Sequence, residues 1–128
     1  MRNSEKNKGI NAKEHSYDLT ELIQLSNGSN EFVANMIEIF IRSSTEIFTQ
    51  IKEALLINDW KEVSALAHKA VPSFHFMGLI IFSEKLRFIE INALKNKQQK
   101  RLAEMIGLID KNMVIILEEL KAELEKFK

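Results

Sequence analysis

The sequence contains no cysteine in its 128 residues. A chain without cysteine forms no disulfide, no cysteine-ligated zinc or iron–sulfur site, and no thiolate nucleophile. Glycine and proline are also scarce, with four and one residues respectively. A β-sandwich or β-barrel needs a turn about every 8–12 residues and builds those turns largely from such residues. The scarcity therefore favours a few long helices joined by short loops.

The chain also lacks an excess of one charge and lacks a long hydrophobic run. Lys and Arg number 18, Asp and Glu number 18, and the formal net charge is zero. This balance argues against nucleic acid or an anionic membrane as a partner. The longest apolar runs, 77–82 and 113–117, are far shorter than the roughly 20 residues that span a bilayer. The polar N-terminus does not resemble a secretory signal, so we expect a cytoplasmic protein.

Hydrophobic spacing divides the chain into a polar segment and one helical domain. Residues 1–16 have almost no apolar side chains and predict a flexible tail, whereas 17–127 predict a single domain. A short first helix ends near Gly28, and longer helices follow it. Asp59 and Glu62 have the spacing of a capping box at the start of the third helix.

The last helix shows the clearest amphipathic pattern. Its apolar residues recur in steps of four and three, the spacing of one helix face: Leu102, Ile106, Ile109, Met113, Ile116, Leu120 and Leu124. Short loops make neighbouring helices antiparallel. We therefore predict an all-α fold, an up-down antiparallel four-helix bundle preceded by a short N-terminal helix.

His68 is the leading candidate for chemistry. It lies one position beyond Ala67, which faces the core, so we expect its imidazole to be exposed on the third helix. Pro72 stands one turn later, where an interior proline costs about 3 kcal/mol and leaves the His68 carbonyl without a donor. That residue predicts a kink or an early end of the helix.

A carboxylate partner for His68 follows from the turn at Gly78. Residues ten to twelve after that turn should face His68 across an antiparallel pair, and Glu90 is among them, with Arg87 one turn away. A carboxylate that accepts a hydrogen bond from Nδ1–H fixes the imidazole tautomer. Nε2 then keeps an outward, nucleophilic lone pair.

These residues resemble those of a known family. The run Leu66-Ala67-His68-Lys69, followed by Pro72-Ser73-Phe74 and Met77-Gly78-Leu79, is similar to the histidine-containing phosphotransfer (HPt) domains of phosphorelays. The resemblance extends over roughly Tyr17 to Leu124 and also includes Asn58-Asp59-Trp60 before the third helix.

The resemblance implies a phosphoryl carrier in a two-component system, with no autonomous kinase activity. His68 would accept a phosphoryl group from the phosphoaspartate of a receiver domain and pass it to the aspartate of another receiver. The implied partners are a response-regulator receiver domain and a hybrid histidine kinase, and we expect a monomer. No cofactor is expected in this chain, because the receiver supplies Mg²⁺.

One residue departs from the family pattern. Members of the family usually have a lysine three residues after the histidine, where its charge supports the phosphoryl oxygens, and this chain has Val71 there. Arg87 on the facing helix is the better candidate to compensate, and Lys69 would have to curl back around its own helix. Glu90, Arg87 and Lys69 are therefore the predicted supporting residues. The predicted partner-docking residues are Ser64, Val71, Pro72 and His75.

Two alternatives to the phosphocarrier remain open. The loss of the family lysine at Val71 is compatible with an HPt-like adaptor that binds a receiver domain or a histidine kinase without carrying phosphate. A carboxylate-bridged metal bundle would need Glu-x-x-His pairs on facing helices, and the sequence contains none. His68 and His75 are two turns apart, about 10 Å along the axis, which is too far for one shared metal. We expect no metal site.

Overall fold

The observed helices begin and end close to the predicted positions. The computed structural model describes residues 17–128, and the predicted tail at 1–16 lies outside this range. Within it the elements are α1 (Thr20–Ser26), α2 (Asn30–Leu56), α3 (Trp60–Phe76), α4 (Ile80–Leu94), α5 (Gln99–Leu124) and a 3₁₀ turn at Glu125–Phe127. Residues 17–128 contain no β-strand. The predicted all-α fold with a short N-terminal helix is confirmed.

Side-chain caps start two of the long helices. The Ser29 hydroxyl accepts a hydrogen bond from the Phe32 N–H at the start of α2, at 3.1 Å. The Asp59 carboxylate accepts one from the Glu62 N–H at the start of α3, also at 3.1 Å. The Asp59 N–H donates to the carbonyl of Ala54 at 2.9 Å, so only half of the predicted capping box forms.

The long helices form a closed ring of contacts. α3 packs against α2 and α4, and α5 also packs against α2 and α4. This is the arrangement of an up-down four-helix bundle, in which the first and last helices meet. At its centre, the fully buried Phe74 makes an edge contact with Phe40, with ring centroids 5.1 Å apart. Phe48 packs against the same ring at 6.0 Å.

α5 buries one apolar face and exposes a charged face that also carries Leu108, Val114 and Ile115. All seven apolar positions predicted from its spacing are buried, and its outer face carries exposed Glu and Lys side chains. The helix thus covers the core with a stripe rather than with its whole surface. Across residues 17–128, none of the helices combines the length and the hydropathy that a membrane span requires.

The turn between α3 and α4 is held by the segment before α1. Gly78 adopts φ +76, and a Cβ built there would lie 2.5 Å from the Asp18 backbone nitrogen. The Asp18 N–H donates to the Met77 carbonyl at 2.9 Å. The Asp18 carboxylate in turn accepts hydrogen bonds from the hydroxyl and N–H of Thr20, which hold the pKa of Asp18 below its ordinary value. Only glycine allows this close approach.

A second contact joins the start of the described chain to α5. The Tyr17 hydroxyl donates to Oε1 of Glu123 at 3.0 Å. Burial of the phenol and the hydrogen bond to this carboxylate raise the pKa of Tyr17 to about 12. The segment before α1 is therefore fixed both at the α3–α4 turn and at the end of α5.

Candidate functional site

His68 lies on the outer side of α3. Its side chain is 75% exposed, whereas its neighbour Ala67 and the next core residue, Ala70, are fully buried. The helix therefore points one face into the bundle and holds the imidazole in solvent. The predicted placement of His68 is confirmed.

Glu90 on α4 meets His68 as predicted. The distance between Nδ1 of His68 and Oε2 of Glu90 is 2.8 Å, and the glutamate side chain is 24% exposed. An ionised carboxylate only accepts hydrogen bonds, so Nδ1 carries the proton in this contact. The lone pair of a neutral imidazole then resides on Nε2. The arrangement fixes the ring and leaves its second nitrogen facing solvent.

Ser64 connects the same two helices one turn earlier on α3. Its hydroxyl donates to the backbone carbonyl of Glu90 at 2.8 Å, and the residue is only 3% exposed. The backbone and the side chain of Glu90 are therefore each held by a residue of α3. Because its hydroxyl turns inward to α4, Ser64 presents little surface to a partner, and its docking role stays a prediction.

The other predicted docking residues lie on a second depression beside α3. It is lined by Val71, Pro72, His75, Phe76, Arg87 and Glu21. Val71 is only 6% exposed, since its apolar side chain packs into the core, so it offers little surface for the docking role predicted for it. Pro72 and His75 are exposed. α3 continues past Pro72 to Phe76, so the proline does not end the helix.

The overall structure is similar to one solved phosphotransfer protein. Histidine-containing phosphotransfer protein B (HptB) from Pseudomonas aeruginosa PAO1 superimposes with a TM-score of 0.78 at 19% sequence identity. The match covers 88% of this chain and 96% of that chain. The chain has the HPt fold. No family model matches its sequence, and no curated protein does.

Two of the three predicted supporting residues make no hydrogen bond or ion pair with His68. His68 lines a depression with Glu90, Lys61, Ser64, Ala65 and Leu94. Arg87 instead lines the second depression, beside Pro72 and His75. Lys69 is exposed. Neither Lys69 nor Arg87 makes a hydrogen bond or ion pair with His68. Of the three, only Glu90 contacts the imidazole.

Lys61 was not among the predicted site residues. It precedes His68 by seven residues on α3, and two helical turns bring such residues almost to the same face. That spacing is visible in the sequence and was the available signal. Within residues 17–128, no three His, Asp or Glu side chains are grouped closely enough to hold a metal ion.

Proposed function

We propose that this HPt-fold protein is a phosphorelay intermediate. It accepts a phosphoryl group on Nε2 of His68 from the phosphoaspartate of a receiver domain and passes it to an aspartate of another receiver. The observation that carries the proposal is the 2.8 Å contact between Nδ1 of His68 and Glu90 on an imidazole that is 75% exposed. This contact directs the nucleophilic nitrogen outward, toward a partner.

The transfer step uses the tautomer that Glu90 selects. The Nε2 lone pair attacks the phosphorus, the bond from phosphorus to the aspartyl oxygen breaks, and the carboxylate leaves with the electron pair. No proton must leave Nε2, because the ring proton is already on Nδ1. The ring becomes positively charged, and the Glu90 carboxylate stabilises that charge. Mg²⁺ on the receiver neutralises the transferring oxygens, and a hybrid histidine kinase is the expected original donor.

The second candidate function is an adaptor that binds a receiver without carrying phosphate. The observation that favours it is Val71, which stands where the family lysine is expected and is buried. A charge-assisted contact at that position, worth about 1.5–3 kcal/mol when fully made, is absent. An adaptor would bind a receiver equally well after His68→Gln.

A phosphotransfer assay separates the two functions. The protein is mixed with isolated receiver domains that have been phosphorylated by acetyl phosphate with Mg²⁺, and the intact mass is followed over time. We expect an acid-labile added phosphate on the wild type and none on His68→Gln. His75→Gln removes another exposed histidine of α3 but keeps His68, so it should still acquire the acid-labile phosphate. Receiver binding without phosphate transfer would instead support the adaptor.

A further inference from the structure

A basic side chain shares the depression of His68. Lys61, at the second position of α3, lines it together with His68, Glu90 and Leu94. We propose that Lys61 contacts the phosphoryl oxygens when His68 is phosphorylated and supplies the charge that Val71 does not. This proposal rests on the proposed phosphocarrier function and names a residue that acts in it.

The spacing of the two residues suits such a contact. Seven residues along a helix return to within about 20° of the same direction and rise about 10 Å. A lysine side chain is long and flexible, and a phosphoryl group on Nε2 extends His68 further from the helix axis. The ammonium group can therefore approach the phosphoryl oxygens, while Glu90 on the other side holds Nδ1.

The charge of Lys61 is not used in any ion pair or side-chain hydrogen bond within residues 17–128. The residue is exposed. It also stands in the first turn of α3, where the helix dipole disfavours a cation. A negatively charged phosphoryl group on His68 would attract the Lys61 ammonium group and so offset its unfavourable interaction with the helix dipole.

The other basic residues near His68 are less well placed. Arg87 lines the separate depression beside Pro72 and His75. Lys69 follows His68 directly and so points about 100° away around the helix. These two residues provide matched controls, because each is an exposed cation, one on α3 and one on α4.

The test measures the loading of His68 in variants that change one charge each. Potassium phosphoramidate phosphorylates imidazole directly, so no receiver or Mg²⁺ is required, and the signal of His68→Gln is subtracted as background. We expect Lys61→Met to load roughly fivefold more slowly at low salt, as for an exposed charge contact. Lys61→Arg should retain the wild-type rate, as should Lys69→Met and Arg87→Met. High salt should reduce the difference.

Each outcome separates the Lys61 proposal from the phosphocarrier function. If the wild type loads and Lys61→Met loads equally fast, Lys61 has no role and the carrier function stands. Equal losses in Lys69→Met and Arg87→Met would indicate general attraction of the anion and would also overturn the proposal. If the wild type takes up phosphate neither from phosphoramidate nor from any receiver, both the carrier function and the role of Lys61 are contradicted. Thermal unfolding of each variant checks that the bundle is intact.

Discussion

Two pairs of helices in this bundle each carry a polar contact at the surface, and one of these contacts is the proposed site. Between α2 and α5, Lys52 bonds Asp110 at 3.1 Å, with side chains 55% and 32% exposed. Between α3 and α4, His68 bonds Glu90 at 2.8 Å, with side chains 75% and 24% exposed. The distances are alike. The lysine ends in one charged group that the aspartate neutralises, whereas the imidazole retains a second nitrogen that is free to react.

The two pairs also differ in how firmly their register is set. α3 and α4 are joined by the turn at Gly78, which Asp18 holds from outside, and Ser64 adds a buried hydrogen bond. α2 and α5 are not joined in sequence, and their contact borders a groove lined by Phe48 and Met113. His68 and Glu90 thus lie on a pair that a short turn and a buried hydrogen bond hold together. For the phosphoryl transfer proposed above, such preorganisation favours the approach of Nε2 to the phosphorus.

The largest loss of stability is expected from a substitution in the turn that joins α3 and α4. Gly78→Ala places a Cβ at positive φ and 2.5 Å from Asp18 atoms, and should lower the free energy of unfolding by about 2–4 kcal/mol. Gly28 also has positive φ, but a Cβ there meets nothing within 4 Å. Gly28→Ala should therefore cost only about 1 kcal/mol. Urea denaturation of both variants gives the difference, and equal losses would contradict a special role for the Asp18 contact.

The next effect concerns the His68 contact itself. Glu90→Ala leaves Nδ1 without its acceptor, so the ring loses its fixed tautomer and orientation. Phosphoryl transfer to His68 from a phosphorylated receiver should slow about tenfold, the loss expected for a hydrogen bond to a charged group. Glu84 is an exposed glutamate on the same helix. Initial rates for Glu84→Ala should match the wild type, and a similar loss there would point to net charge rather than to the contact.

The contact between Tyr17 and α5 should appear in a pH titration. Tyr17 is the sole tyrosine, so tyrosinate absorbance should show a midpoint near its pKa of about 12 rather than the ordinary 10.0. Because folding raises this pKa, the stabilisation is present below pH 10 and is lost as the pH rises toward about 12.

Variants of the two partners test this contact. Glu123→Gln should lower the midpoint of Tyr17 while leaving it above 10.0, since burial is the largest cause of the shift. Tyr17→Phe should lower the free energy of unfolding by about 1 kcal/mol near neutral pH. A midpoint near 10 in the folded wild type would show that the hydroxyl does not meet Glu123.

The smallest change in stability is expected from the ion pair between α2 and α5. Lys52→Ala and Asp110→Ala should each change the free energy of unfolding by less than about 1 kcal/mol, because the lysine side chain is more than half exposed and the aspartate side chain is about one-third exposed. Neither should alter phosphoryl transfer to His68. A double-mutant cycle measures the coupling directly. A coupling well above 1 kcal/mol, or a changed transfer rate, would remove the distinction between the two pairs.

Part of the site could be predicted from the sequence, and the reason is helix geometry. Counting from Gly78 along two antiparallel helices brought Glu90 to His68, and the 2.8 Å contact confirms it. The same counting did not show that the Ser64 hydroxyl bonds the Glu90 carbonyl or that Val71 is buried. Those outcomes depend on how closely two helices approach and on which way a short side chain turns between them.

By itself, the sequence determined the class of fold, the faces of the helices and the exposed position of His68. These follow from local periodicity and from the few turn residues, which act within one or two helical turns of the chain. Tertiary structure decided that Glu90 and Leu94 of α4 complete one depression with Lys61 and His68, while Arg87 lines another. The reason is that a shared surface depends on the rotation and separation of packed helices, and side-chain packing across the bundle sets these.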